Sequence, residues 1–168
     1  MQKLGPKHRM CRRVGEAVCG RPNCPVGKRP YPPGQHGQGR RRLSEFHIRL
    51  LEKQKLRAMY GVQEKQFRKY FAGASRKKGV TGEELLRTLE TRLDAVVLRL
   101  GFGQTVSASA SAKNFVSVRE AMEVMPDPPP YLERDKDAVS GRLVRLPERS
   151  EIPLTVTVDE RLIVELMS

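Results

Sequence analysis

The sequence TGEELLRTLETRLDAVVLRLG, residues 81–101, carries the clearest structural signal in the chain. Thr81 and Glu84 have the spacing of a capping box, which opens helices. Apolar residues then recur at helical spacing as far as Gly101, a residue type that often ends helices. The stretch predicts one long helix with a buried stripe of Leu85, Leu86, Leu89, Leu93, Val96, Val97 and Leu100.

Two further helices are expected before this stretch. Ser44 is a suitable N-cap for a helix that ends at Gly61, and a second helix is expected over residues 64–78. The buried stripes would consist of Phe46, Leu50, Leu51 and Leu56 in the first helix and of Phe67, Tyr70, Phe71 and Ala74 in the second. Lys53, Lys55 and Arg57 are expected on other faces of the first helix. Three such helices predict a small bundle.

The chain after residue 101 has weaker and mixed signals. Residues 103–116 are expected to form a strand or a loop, residues 117–125 a short helix, and the proline-rich run 126–130 a stiff connector. Short strands are predicted at Tyr131–Glu133, Gly141–Leu146, Leu154–Val158 and Leu162–Leu166. The predicted fold class is α+β: an extended N-terminal segment, a helical bundle and a C-terminal part with short β-strands.

Charge divides the chain into two unequal halves. The protein has 168 residues and a net charge of +13. Residues 1–80 hold 21 of the 32 Lys and Arg but only four of the 19 acids, a net charge of +17, and residues 81–168 carry −4. This asymmetry favours a polyanionic partner on the first half, with nucleic acid ahead of an anionic membrane surface.

Residues 1–43 are rich in Gly, Pro, Lys and Arg and are too poor in apolar residues to fold unaided. They contain the pattern His8-x2-Cys11-x7-Cys19-x4-Cys24, which has the composition of a closed structural zinc site. An iron–sulfur cluster suits a His ligand less well. Free thiols in a degenerate site, or His36 in place of His8, are the alternatives.

The expected RNA contacts are mostly cations of the first half, because few acids are present to neutralise them. Tyr31, Gln35 and His36 lie in a Pro/Gly-rich turn that could approach phosphates and stack on a base. The candidates are Lys3, Lys7, Arg9, Arg12, Arg13, Lys28, Arg29, Tyr31, Gln35, His36, Arg40, Arg41, Arg42, Lys53, Lys55, Arg57, Tyr60, Gln66, Arg68, Lys69, Arg76, Lys77 and Lys78, with Lys65 on the same helix.

Other classes of protein fit the sequence poorly. No Ser/His/Asp group, paired carboxylates or phosphate-binding Gly loop is evident, so neither an enzyme nor a small-molecule substrate is expected. Without a long apolar run or a signal-peptide core, an intracellular protein away from the membrane is expected. Three clustered cysteines do not suggest a disulfide framework.

An ordered set of blocks resembles the S4 family of bacterial-type small-subunit ribosomal proteins. The blocks cover nearly the whole chain: Gly5–Lys7, Arg29–Gly37, Glu52–Arg57, Met59–Val62, Gln66–Arg68, Leu89–Asp94, Leu98–Gly101, Pro147–Glu151 and Ile163–Glu165. Some family members carry four Cys in the N-terminal region; here Cys11, Cys19 and Cys24 match three of those positions and His8 replaces the first.

The resemblance implies a structural protein that binds ribosomal RNA early, nucleates assembly of the subunit body and contributes to translational accuracy. It also implies neighbouring ribosomal proteins as partners, messenger RNA through repression of its own transcript, and a ribosome-bound protein of the bacterial cytoplasm or of an organellar stroma or matrix. A free regulatory RNA- or DNA-binding factor is the competing interpretation.

The resemblance has one large gap. In the family an Arg-rich two-helix unit, the core of the small RNA-binding domain, follows the Leu-Gly block, whereas here Phe102 runs directly into Gly103. A shortened family member, or a segment missing from the sequence as written, would explain this. The expected segments are therefore 1–43 with the metal site, 44–101 as the bundle, 102–116 as a remnant of the RNA-binding domain, and 117–168 packing on the bundle.

Overall fold

The computed structural model describes residues 8–21, 23–39, 44–102, 127–135 and 140–168. The expected strand or loop at 103–116 and the expected helix at 117–125 lie outside these residues. So do Lys3, Lys7, Arg40, Arg41 and Arg42 among the predicted RNA contacts.

The described residues form short helices and one small antiparallel sheet, which confirms the α+β fold class. The helices are α1 (Arg9–Val14), α2 (Glu45–Tyr60), α3 (Glu64–Ser75), α4 (Thr81–Glu90), α5 (Leu93–Arg99) and α6 (Glu160–Met167). Strands β1 (Leu132–Asp135) and β2 (Ser140–Leu143) pair with Leu132 opposite Leu143. Short 3-10 turns lie at Pro25–Gly27 and Arg149–Glu151. None of the described helices has the length and apolar character needed to cross a membrane.

The single long helix expected over residues 81–101 is wrong, because the chain breaks into α4 and α5 at Thr91 and Arg92. The Thr91 hydroxyl donates back to the carbonyl of Arg87 at 2.9 Å, a bond that competes with helix continuation. Arg92 is extended (φ −67°, ψ 143°) and its Nη2 donates to Asp94 at 2.6 Å. The break turns Leu93 outward, so this residue is 68% exposed and not part of the core.

Two of the predicted strands are also wrong. Residues 154–158 form bends without strand pairing, and residues 162–166 lie within α6. The side chain of Asp159 accepts the backbone N–H of Arg161 at 3.0 Å and so caps α6. The run Leu162–Leu166 is rich in apolar and β-branched residues, as strands are, but this cap and the packing of α6 on α2 fix a helix with Ile163 buried.

The described residues between 8 and 82, together with residues 154–168, form one compact unit. Both α1 and α6 pack on α2, and the fully buried residues include Leu56, Phe67, Ala74 and Ile163. The stripe predicted for α2 is partly wrong, because Phe46 is 63% exposed. The outward position expected for Lys53 and Lys55 is wrong as well, because both are buried.

The described residues between 83 and 153 form the second compact unit. Leu100, Tyr131 and Leu132 form a buried cluster, against which Val96 and Phe102 pack. The carboxylate of Glu90 is fully buried and accepts hydrogen bonds from Arg99 Nε at 2.6 Å and from the Tyr131 hydroxyl at 2.7 Å. Burial, reinforced by the charge of Glu90, raises the pKa of Tyr131 well above its usual range, so the hydroxyl stays protonated and donates. The division of the chain into the four segments 1–43, 44–101, 102–116 and 117–168 remains a prediction.

We expect Tyr131→Phe to lower the free energy of unfolding by about 1.5–3 kcal/mol, because the buried Glu90 carboxylate loses a donor. Urea denaturation measures the change. The control is Glu133→Gln, which removes an exposed carboxylate paired with Arg142 and should cost less than about 1 kcal/mol. Equal losses in the two variants would contradict the buried network.

Candidate metal centre and RNA-binding surface

Four potential metal ligands meet beside α1. His8 precedes the helix, Cys11 lies within it, and Gly15 (φ 85°) turns the chain so that Cys19 and Cys24 return towards the helix. The four ligand atoms lie within 4.8 Å of one another, and Cys19 Sγ is 3.7 Å from His8 Nδ1. Ligands of a tetrahedral zinc ion are about 3.5–3.8 Å apart, as its bond lengths require. The group can therefore hold a metal ion after small adjustments.

The thiols of this group are not equivalent. Burial raises the pKa of Cys11 to about 12. Burial would also raise the pKa of Cys19, but hydrogen bonds from the backbone N–H of Arg21 and from the thiols of Cys11 and Cys24 lower it. Cys19 is therefore the first of these two to become a thiolate, the form that binds metals.

The alternative ligand, His36, lies outside the group. Its side chain is exposed and contacts Gln35, with 3.2 Å between their Nε2 atoms. The turn around it is tight: Gly37 is buried, and a Cβ added there would lie 1.9 Å from the carbonyl oxygen of Pro32. His8 is thus the fourth member of the group, as the spacing predicted.

The same turn is held against α1 by one arginine. Arg12 Nε donates to the carbonyl of Tyr31 at 3.1 Å, and the guanidinium carbon lies 5.1 Å from the centre of the Tyr31 ring. The cation–π contact and the hydrogen bond together stabilise the position of the turn against α1, so Arg12 and Tyr31 have a structural role. Both side chains are half-buried, so they offer less surface to a partner than the sequence suggested.

A buried lysine joins three distant parts of this unit. Lys55 Nζ donates to Glu16 at 2.9 Å, to Glu52 at 2.7 Å and to the carbonyl of Thr157 at 3.2 Å, and its side chain is 5% exposed. Burial would lower the pKa of Lys55, but hydrogen bonds to Glu52 and Glu16 raise it. The sequence does not predict this role of Lys55, because Glu16 and Thr157 are remote in sequence and belong to no motif.

The carboxylate of Glu64 forms ion pairs with three cations. It pairs with Lys53 Nζ at 2.9 Å, Arg57 Nη1 at 3.0 Å and Arg68 Nε at 3.2 Å. Burial would raise the pKa of Glu64, but hydrogen bonds from Lys53 and Arg68, together with the charges of Lys53 and Arg57, lower it. Lys53 and Arg57 are therefore engaged inside the protein.

The residues predicted to contact RNA differ in how far their side chains are exposed to solvent. Tyr60 is buried like Lys53 and Lys55, and Arg57 is half-buried like Arg12 and Tyr31. The exposed candidates are Arg9, Arg13, Lys28, Arg29, Gln35, His36, Gln66, Arg68, Lys69, Arg76, Lys77 and Lys78, and Lys65 is exposed beside them.

Residues 2–90 match the family model described as "Ribosomal protein S4/S9 N-terminal domain". The small ribosomal subunit protein uS4 of Heliobacterium modesticaldum is 40% identical, over 98% of this chain and 97% of the relative. The chain belongs to the S4 family of ribosomal proteins. The uS4 proteins of Dictyoglomus turgidum and Thermus thermophilus are 41% and 38% identical, each over 98% of this chain. The family is structural, which confirms the prediction that the chain is not an enzyme.

The alignment also bears on the gap in the family pattern. It spans 204 positions with the Heliobacterium uS4 protein, whereas this chain has 168 residues. At least 36 aligned positions therefore have no counterpart here. This length difference agrees with a shortened chain, and the position of the gap after Phe102 stays a prediction.

We expect stability to fall in acid partly through Glu64. Because its pKa is lowered in the folded protein, its contribution is present above the unfolded pKa, about 4.3, and is lost as pH falls through the folded pKa. Glu64→Gln should cost about 1 kcal/mol at pH 7, since the carboxylate is a third exposed and screened by solvent. The variant should also lose less stability than the parent between pH 5 and pH 3.

Thermal denaturation across pH 3–7 measures this difference. Glu83→Gln is the matched control, because Glu83 is an exposed helical carboxylate without an ion pair among the described residues. If the Glu64 and Glu83 variants followed the same pH profile, the charge cluster around Glu64 would not contribute to acid sensitivity.

Proposed function

We propose that the chain is a structural constituent of the small ribosomal subunit and binds its ribosomal RNA. Family membership over almost the full chain carries this proposal. The charge of the first half supports it independently. Each of its four acids contacts at least one cation of the same half, and the exposed Lys28, Arg29, Lys65 and Lys69 form no ion pair among the described residues, so they are left for a partner.

The proposed RNA surface is smaller than the set expected from sequence. Lys53, Lys55 and Tyr60 are buried, so we leave them out, and we retain the exposed cations of α1, of the turn after Cys24 and of α3. Each phosphate that such a cation neutralises releases condensed counterions. Contacts of this kind recognise the shape and backbone of folded RNA more than its base sequence.

The family also suggests the role of the protein in subunit assembly, its partners and its location. The protein would bind early at a junction of RNA helices, nucleate assembly of the subunit body and influence decoding accuracy. Its partners would include neighbouring ribosomal proteins and, through repression of its own transcript, messenger RNA. It would be ribosome-bound in the cytoplasm of a bacterium, or in an organellar stroma or matrix.

We further propose that the metal is zinc, held by His8, Cys11, Cys19 and Cys24. Three thiolates and one imidazole form a closed structural set, in which every tetrahedral position is taken. The ion would cross-link α1 to the loop that follows it. An iron–sulfur cluster is less suited to this set because of the imidazole ligand.

The zinc proposal predicts a difference between two histidines. His8→Ala should lower the zinc content of the purified protein well below one ion per chain, because the site loses one of four ligands. His36→Ala is the matched control and should keep the full content. Elemental analysis measures both, and it also detects iron. Iron and sulfide in place of zinc, or no metal in the parent protein, would contradict the proposal.

The RNA proposal predicts steep dependence on salt. Lys28 and Arg29 are exposed and form no ion pair among the described residues, so Lys28→Glu/Arg29→Glu should weaken binding to small-subunit ribosomal RNA at least tenfold. The slope of log K against log salt should shrink by about two, one for each lost phosphate contact. Filter binding across a salt series measures both.

Arg142→Glu is the control for this experiment. Arg142 is 77% exposed and lies in the half of the chain with net negative charge, so its reversal should change the affinity less than twofold. A flat salt response of the parent protein, or absence of the protein from purified small subunits, would contradict the proposed function. The second outcome would favour a free regulatory factor.

A further inference from the structure

Helix α3 has two opposite faces with different chemistry. Phe67, Phe71 and Ala74 are buried. Lys65, Lys69, Gly73 and Arg76 follow at steps of four, four and three residues, which places them on the opposite side of the helix. All four are exposed, with Arg76 as the residue that ends α3. We call this set the α3 cationic face.

Gly73 on this face has no role in the packing of the described residues. A Cβ added there would have no neighbouring atom within 4 Å. At Gly82, by contrast, an added Cβ would lie 2.7 Å from Cβ of Glu160, so the fold itself requires a small residue there. Glycine in the middle of a helix is less stable than alanine. Packing among the described residues therefore gives no reason for a glycine at position 73, and the position leaves the surface of α3 without a side chain.

The cations of the face are not neutralised within the described chain. Glu64 is the only acid between residues 61 and 80, and it pairs with Lys53, Arg57 and Arg68. Lys65, Lys69 and Arg76 form no ion pair among the described residues. The face therefore presents three positive charges around a position without a side chain.

We propose that the α3 cationic face lies against the sugar–phosphate backbone of a ribosomal RNA helix, which approaches α3 most closely at Gly73. This inference rests on the proposed function and deepens it. Lys65 and Arg76 are eleven residues apart, about 16 Å along the helix axis, so cations on both sides of Gly73 can reach successive phosphates. A missing side chain lets the RNA backbone come close enough for these contacts.

An RNA partner fits this face better than an acidic protein does. Stable protein interfaces have an apolar or aromatic centre. The α3 cationic face has no large apolar residue, and Gly73 lies between Lys69 and Arg76 on it. Cations on both sides of a glycine match the phosphate contacts that dominate RNA binding by shape.

The test compares the same new side chain on two faces of α3. Gly73→Leu should weaken binding of the full-length protein to small-subunit ribosomal RNA at least tenfold, because leucine holds the RNA away from the helix. Ser75→Leu places leucine on another exposed face and should change the affinity less than twofold. Gly73→Ala should give a smaller loss than Gly73→Leu. Helical circular dichroism should show that all three variants remain folded.

The outcomes separate this inference from the proposed function. If the parent protein fails to bind the RNA at low salt, the proposed function fails. If the parent binds and the Gly73 and Ser75 variants bind equally well, only the present inference is overturned. Normal binding of Gly73→Leu to free RNA, combined with failure to enter small subunits, would assign the face to a protein neighbour and would also overturn the inference.

Discussion

Lys55 is a positive charge placed in the interior, and three separate segments converge on it. Glu16 belongs to the loop between two of the candidate metal ligands, Glu52 to α2, and Thr157 to the chain that leads into α6. A buried ammonium group is tolerated only when its donors are satisfied, and a buried charge left without a compensating partner typically costs about 3–5 kcal/mol. The positions of these segments therefore depend on one another through one side chain.

Other contacts reinforce the same junction. The Thr155 hydroxyl donates to the carbonyl of Val18 at 3.3 Å, and an added Cβ at Gly20 would lie 3.0 Å from the Thr155 methyl group. Arg49 of α2 pairs with Glu165 of α6 at 3.0 Å. The C-terminal segment is thus held both by the loop that carries Cys19 and by α2. The N-terminal loop, which has few apolar residues, is thus held in place by polar contacts with residues that are far away in sequence.

The sequence predicted where helices occur better than it predicted where they end or which of their charged residues are buried. Apolar periodicity was sufficient for α2, α3 and α4, because burial of one face determines where these helices form. The break at Thr91 and Arg92 depends on side-chain hydrogen bonds that do not alter the apolar pattern. The group of four potential metal ligands was predictable because their spacing is local. The burial of Lys55 was not, because Glu16 lies 39 residues away and nothing in the pattern links the two.

These internal pairs also explain how a basic sequence acquires a shaped basic surface. Glu16, Glu52 and Glu64 are used to satisfy cations in the interior, so the acids of the first half neutralise little of the outer surface. The exposed cations then remain on helices and tight turns whose positions are already fixed. A disordered cationic tail would have to lose conformational entropy on meeting RNA, whereas these side chains are largely in place beforehand. The buried ion pairs therefore contribute to recognition indirectly, by determining which positive charges face outward and by holding the backbone beneath them.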